Sequence, residues 1–133
     1  MVNAIRVHEA GGPEMLKYED VDLSDPAPGE VQIEHAAIGI NFANTYFRTG
    51  LYPPPSWSFI VGGEAAGTVT KIGKGTTGWK IGDRVAYESS TGAYAETANV
   101  PEEAIIRLPK SISFEMATHI ALSRAAPPSA RWC

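Results

Sequence analysis

The stretch EVQIEHAAIGI, residues 30–40, alternates apolar and polar side chains with a period of two. Successive side chains of a strand point to opposite faces, so this period marks a strand half-buried against a core. It sets Val31, Ile33, His35 and Ala37 on one face and Gln32 and Glu34 on the other. The segments NAIRVHE, LKYEDVDL, EAAGTVTKIG, DRVAY, GAYAETANV and AIIRLP also read as strands. Glycine and proline punctuate the intervals between them. Many short strands with such turns predict a mainly β domain, a closed or partly open barrel with small helical inserts.

Two segments leave the strand pattern. In NFANTYFRTG, Asn41 is placed to cap a short helix and Gly50 to end it. In SFEMATHIAL, Ser113 is the cap, and Phe114, Ala117 and Ala121 share one face. LYPPPSWSF reads as loop throughout, since its three prolines remove three ladder donors. SRAAPPSARWC has no alternation, and Pro127–Pro128 ends any helix before it.

Composition narrows the function. A net charge of −4, with no Lys/Arg run, excludes nucleic acid and anionic membrane as the main partner. No apolar stretch reaches the length of a membrane span or a signal-peptide core. The one cysteine is Cys133, so no internal disulfide or cysteine-based metal cluster is available. A cytosolic setting follows as the expectation.

GKGTTG, residues 73–78, matches G-x-G-x-x-G, the loop that cradles a dinucleotide pyrophosphate. That loop works only when a strand enters it and a helix leaves it, with the helix N-terminus facing the phosphates. Here GTVTKI enters as a strand, but WKIGDRVAY follows, with Gly82–Asp83 and then another strand. The segment therefore reads as a bend between strands.

GGPEML, PGEVQIEHAAIGINFANTYFRTGLYP, FIVGGEAAGTVTKIGKG, KIGDRVAY, GAYAE and LPKSISFEMA, taken in order, resemble NADPH-dependent quinone oxidoreductases. These are the zeta-crystallin-like branch of the medium-chain dehydrogenase/reductase superfamily. The resemblance implies a GroES-like partly open β-barrel with short helices, spanning residues 1–122. It also implies that the family's Rossmann domain is absent from this sequence. Residues 123–133 form an irregular tail that departs from the family pattern. Zinc-dependent alcohol dehydrogenases place a Cys before the short helix and a His in the motif that reads GGE here. This chain has Asn41 and Gly63 in those stretches, so no metal site is expected.

The resemblance also implies the chemistry. The family passes a hydride, or its electron equivalents, from NADPH to a quinone or an α,β-unsaturated carbonyl. Tyr46 and Tyr52 are its candidate catalytic residues here, and Asn41 and Arg48 its candidate cofactor-binding residues. Each has a plainer alternative: a helix cap for Asn41, a half-buried helix position for Tyr46, a loop anchor for Tyr52, a solvated helix face for Arg48. Glu64 suits a structural role in the turn after Gly62–Gly63. His35 reads as a satisfied core histidine, and His8 and His119 show no partner constellation. Two rival readings stand beside the first. One is a non-enzymatic fragment or interaction module that self-associates through an exposed cleft wall around Tyr46, Tyr52 and Trp57. The other is an enoyl-thioester or other zinc-free reductase.

Overall fold

The computed structural model describes residues 2–40, 48–51, 57–88 and 92–118. Eight strands are assigned among them: β1 (Val2–Val7), β2 (Lys17–Val21), β3 (Glu30–Gly39), β4 (Phe59–Ile60), β5 (Glu64–Ile72), β6 (Arg84–Glu88), β7 (Thr97–Pro101) and β8 (Ile105–Arg107). They form two sheets, ordered β2-β1-β4 and β7-β3-β5-β6-β8. Every described strand pair is antiparallel. A dinucleotide-binding βαβ unit needs parallel strands, so none is built from these residues.

Residues 94–96 stitch the two sheets together. Ala95 bridges Ala4, the Ile5 amide donates to the Tyr94 carbonyl at 2.8 Å, and the His35 amide donates to the Glu96 carbonyl at 2.9 Å. The seam closes one side of the barrel, while β2 and β8 remain edges of their own sheets. GAYAETANV is therefore a crossing segment followed by β7, rather than one continuous strand. Val31, Ile33, Val69, Val85 and Tyr87 fill the main core. Val7, Phe59 and Val61 form a smaller one under the three-stranded sheet.

Two local expectations change. Phe59, read as loop beside its prolines, opens β4 opposite Val7, because the apolar ring gains a core place that only a distant strand supplies. Gln32, expected to face out, is buried, because the β3–β5 register shifts between Gln32 and Ile33. A bulge of this kind inserts a residue and breaks strict alternation. The Gln32 amide nitrogen is satisfied by Asn99 Oδ1 at 3.1 Å. Short 3₁₀ turns at Pro13–Met15 and Glu102–Ala104, too brief for a periodic signal, complete the pattern.

The C-terminal helix begins as read. Residues 114–118 are helical, and the Ser113 hydroxyl accepts the Met116 amide at 3.2 Å. Arg84 holds this turn against the sheet through the Ile112 carbonyl at 2.8 Å and its stack over Phe114. Ala121 and the tail 123–133 lie outside the described residues.

Candidate active-site wall

One end of the large sheet collects the elements that the sequence marks as functional. Gly39, the last residue of β3, pairs with Glu64, the first of β5, and Glu64 pairs with Glu88, the last of β6. Three strands thus finish or begin at one level. Ile40, Gly63 and Glu88 are the described residues at the mouths of their connections there. The floor is tight: a Cβ at position 39 would lie 2.1 Å from Glu64 Oε1, so only glycine fits over that carboxylate. Glu64 itself is 2% exposed, in keeping with its structural role.

The paired carboxylates affect each other. Glu88 is pushed above the usual carboxylate range, first by its burial and second by the negative charge of Glu64. Glu88 carries no motif, and the strand DRVAY was read without it; the signal that finds it is its register opposite Glu64. Tyr94, beside this end through its amide bond to the Val61 carbonyl at 2.8 Å, has its phenol raised by burial.

Arg48 is tied to the β1–β2 connection. Its Nε donates to the Gly11 carbonyl at 3.2 Å, and the Gly11 amide donates back to the Arg48 carbonyl at 3.1 Å. Gly50, with φ of +88°, turns the chain directly after. Asn41, Tyr46 and Tyr52 lie outside the described residues, as does His119. Leu51 and Trp57, which flank the proline segment, are both exposed.

His35 is a satisfied core histidine, as expected. The Ala95 carbonyl can only accept, so Nδ1 carries the proton and donates to it at 2.7 Å. Nε2 then accepts from the Tyr87 hydroxyl at 2.7 Å. Burial lowers the His35 pKa, opposed by its bond to Ala95, and burial raises the Tyr87 phenol far above its usual range. Both groups stay neutral and act as a structural tie. His8, read as lacking partners, has two: Ser58 and Glu19. Glu19 lies on β2 and Ser58 just before β4, distances along the chain that no local spacing reveals.

On the other side of His35 opens a cleft of about 480 Å³, lined by Ile5, Tyr18, Ala37, Ile38, Ile40 and Tyr94 among others. Ile40 is 85% exposed at its rim. GKGTTG behaves as a bend. The Gly73 amide donates to the Glu30 carbonyl at 2.8 Å, the Thr76 amide to the Gly73 carbonyl at 3.0 Å, and β6 follows. Those two amides are already engaged, and a strand rather than a helix N-terminus follows the loop, so the pyrophosphate-cradling context is not built here. Among the described residues, no group of three or more His, Cys, Asp or Glu side chains is placed to hold a metal ion. No described helix is long and apolar enough to cross a membrane.

An antiparallel barrel with a Gly-Gly-Glu turn feeding its central strand defines a class, and the comparison with known proteins agrees. The chain belongs to the alcohol dehydrogenase GroES-like domain family, whose model matches residues 27–110. Within that class it is similar to the quinone oxidoreductase of Salmonella typhimurium, at 48% identity over 118 residues, covering 88% of this chain and 36% of that protein. Among solved structures it is similar to the quinone oxidoreductase of Pseudomonas syringae pv. Tomato DC3000, with a TM-score of 0.89 and 42% identity, covering 92% of this chain and 38% of that one. It is also similar to the Escherichia coli quinone oxidoreductase complexed with NADPH, with a TM-score of 0.84 and 48% identity, covering 87% of this chain and 36% of that one. The chain therefore spans 36–38% of the length of these relatives.

Proposed function

We propose that this chain forms one wall of the active-site cleft of a quinone oxidoreductase that uses NADPH. The observation that carries the reading is the collinear likeness to the E. coli enzyme at 48% identity over 87% of this chain. The Gly39–Glu64–Glu88 floor supports it, because it gathers at one sheet end the connections that carry the family-like stretches.

NADPH, when bound, supplies the hydride. What these residues contribute is position and polarity. In this reading Tyr46 and Tyr52 offer hydroxyls and flat rings to a quinone or α,β-unsaturated carbonyl. The hydroxyls stabilise charge developing on its oxygen. Asn41, whose amide both donates and accepts, orients the nicotinamide end. Arg48, anchored on Gly11, extends that cofactor-facing side. The pyrophosphate grip is not assigned to residues 73–78, for the reasons of geometry given above. Residues 1–122 act as the barrel unit, in a cytosolic setting.

The test is a chimera. Residues 2–118 replace the corresponding segment of the E. coli quinone oxidoreductase, and NADPH oxidation is followed with 1,4-benzoquinone. The expected result is NADPH-dependent quinone reduction that drops about 10- to 100-fold in Tyr52→Phe, the loss of one preorganised donor being worth a few kcal/mol at most. A folded but inactive chimera contradicts the reading.

A second reading rests on exposed apolar side chains: Ile40, Leu51 and Trp57 all stand open to solvent. Exposed apolar side chains favour association where they join into a patch. Light scattering across a concentration series is expected to show self-association of the 133-residue chain. A clean monomer at high concentration contradicts it.

A further inference from the structure

The three-stranded sheet carries an arrangement that quinone reduction does not use. Register aligns Val7 with Phe59 and Arg6 with Ile60, so His8 continues the ladder opposite Ser58. Arg6 and His8 share the face opposite Val7, which points into the small core. On the other side of β1, Ala4 pairs with Glu19, so by alternation Glu19 shares a face with Arg6 and His8, although Ala4 itself is buried. The three side chains make a diagonal row: Ser58 stands opposite His8, while Glu19, level with Ala4 and four residues back along β1, reaches the imidazole with its side chain.

The row is hydrogen-bonded along its length. His8 Nε2 meets Glu19 Oε1, and His8 Nδ1 meets the Ser58 hydroxyl. In the neutral imidazole, a ring proton on Nε2 faces the Glu19 carboxylate, which accepts the hydrogen bond. Nδ1 is then the acceptor for the serine O–H. This is the order nucleophile, base, orienting carboxylate. Arg6 Nη1 lies 3.6 Å from Glu19 Oε2. Arg6 and Ser58 also line one cavity of about 480 Å³, together with Val21, Leu23, Phe59 and Asn99. That volume is in the range of small-ligand pockets, roughly 300–1,000 Å³. The lining is mixed: Arg6 and the apolar side chains share it with Asp22, Thr97 and Asn99, and the His8–Glu19 pair stands behind Ser58 outside it.

We propose that Ser58 is an activated nucleophile that accepts acyl groups from small activated esters. Ser58 Oγ attacks the ester carbonyl carbon, and its proton passes to His8 Nδ1. The bond from that carbon to the leaving oxygen breaks, and the leaving oxygen keeps the electron pair. His8 is then the donor that returns the proton to it. Water repeats the sequence on the acyl-serine, releasing the acid and restoring Ser58. No electrons change hands overall. Glu19 is a positioning residue that holds the imidazole in the required tautomer. Arg6 supplies positive charge toward the carbonyl oxygen as it becomes negative.

The test uses the 133-residue chain with diisopropyl fluorophosphate, which forms an Oγ–P bond and releases fluoride. The expected result is one phosphoryl group per chain, mapped to Ser58 by peptide mass spectrometry. His8→Asn, with its near-ultraviolet circular dichroism unchanged, labels about 100-fold more slowly, the usual size of a general-base contribution. Glu19→Gln slows labelling several-fold and Glu19→Asp recovers most of the rate, which a merely structural carboxylate would not produce. p-Nitrophenyl acetate releases p-nitrophenolate at rates that follow the same order. Absence of label, label on another residue, or equal rates in His8→Asn and the parent chain overturns the proposal.

Discussion

Glycines gather at both ends of strand β5, and they are there for different reasons. At its far end, Gly75 and Gly78 adopt φ of +78° and +93°, and a Cβ on either would meet nothing within 4 Å. They are there for backbone freedom, in open space. At its near end, Gly39 lies under Glu64, where a Cβ would come within 2.1 Å of a carboxylate oxygen. That glycine is there for room. The nucleotide-like pattern mixes the two cases, since a Cβ on its first glycine, Gly73, would come within 2.0 Å of the Ala27 carbonyl oxygen while Gly75 and Gly78 stand in open space; the Glu64 floor is crowded only. Glycine spacing alone does not separate the two; the neighbouring chain does.

The largest effect that sharpens this contrast comes from the core that both ends share. Ile33, fully buried between β5 and β7, is expected to cost about 2–5 kcal/mol on truncation to Ala, read by urea denaturation. Gly39→Ala comes next, at about 1–3 kcal/mol, because overpacking must displace the buried Glu64 side chain. Gly75→Ala is expected at about 1 kcal/mol, the cost of positive φ without any clash. A Gly75→Ala variant less stable than Gly39→Ala breaks the comparison.

Acid provides a gentler probe. The folded pKa of His35 lies below 6.5, its ordinary value, so between the two the unfolded chain binds a proton that the folded chain refuses. Stability from this residue is fully present above about pH 6.5 and is lost as pH falls through the folded pKa, by no more than about 1.4 kcal/mol per unit. His35→Gln is expected to flatten that slope in denaturation curves taken between pH 7 and pH 5. The finest effect is electrostatic. Glu64→Gln removes one of the two causes that raise Glu88, so the Glu88 pKa falls but stays above its ordinary value, since burial is the larger cause. Carboxyl carbon NMR titration reads this, and an unmoved Glu88 contradicts the pairing.

Much of the barrel was legible because its strands are half-buried, and a half-buried strand writes its period into the sequence. Val31, Ile33 and Val69 are all core, as alternation requires. The Ser113 cap was legible for a similar reason, being local chemistry. What escaped depends on partners far along the chain. Phe59 becomes strand only because Val7 lies opposite, and Gln32 turns inward only because β5 carries an extra residue there. Glu88 gains meaning from Glu64, and His8 from Ser58 and Glu19, across strands that no local window joins. Of the candidate site, Arg48 is placed on Gly11, while Asn41, Tyr46 and Tyr52 rest on resemblance.

The central claim is that this barrel offers a wall to a coenzyme and that its glycine loop does not grip one. Titration of the 133-residue chain with NADPH, followed by amide NMR, tests it most directly. The account predicts no saturable binding in the micromolar range and unmoved amides at Gly73, Gly75 and Gly78. Micromolar binding with shifts centred on those three amides would contradict it.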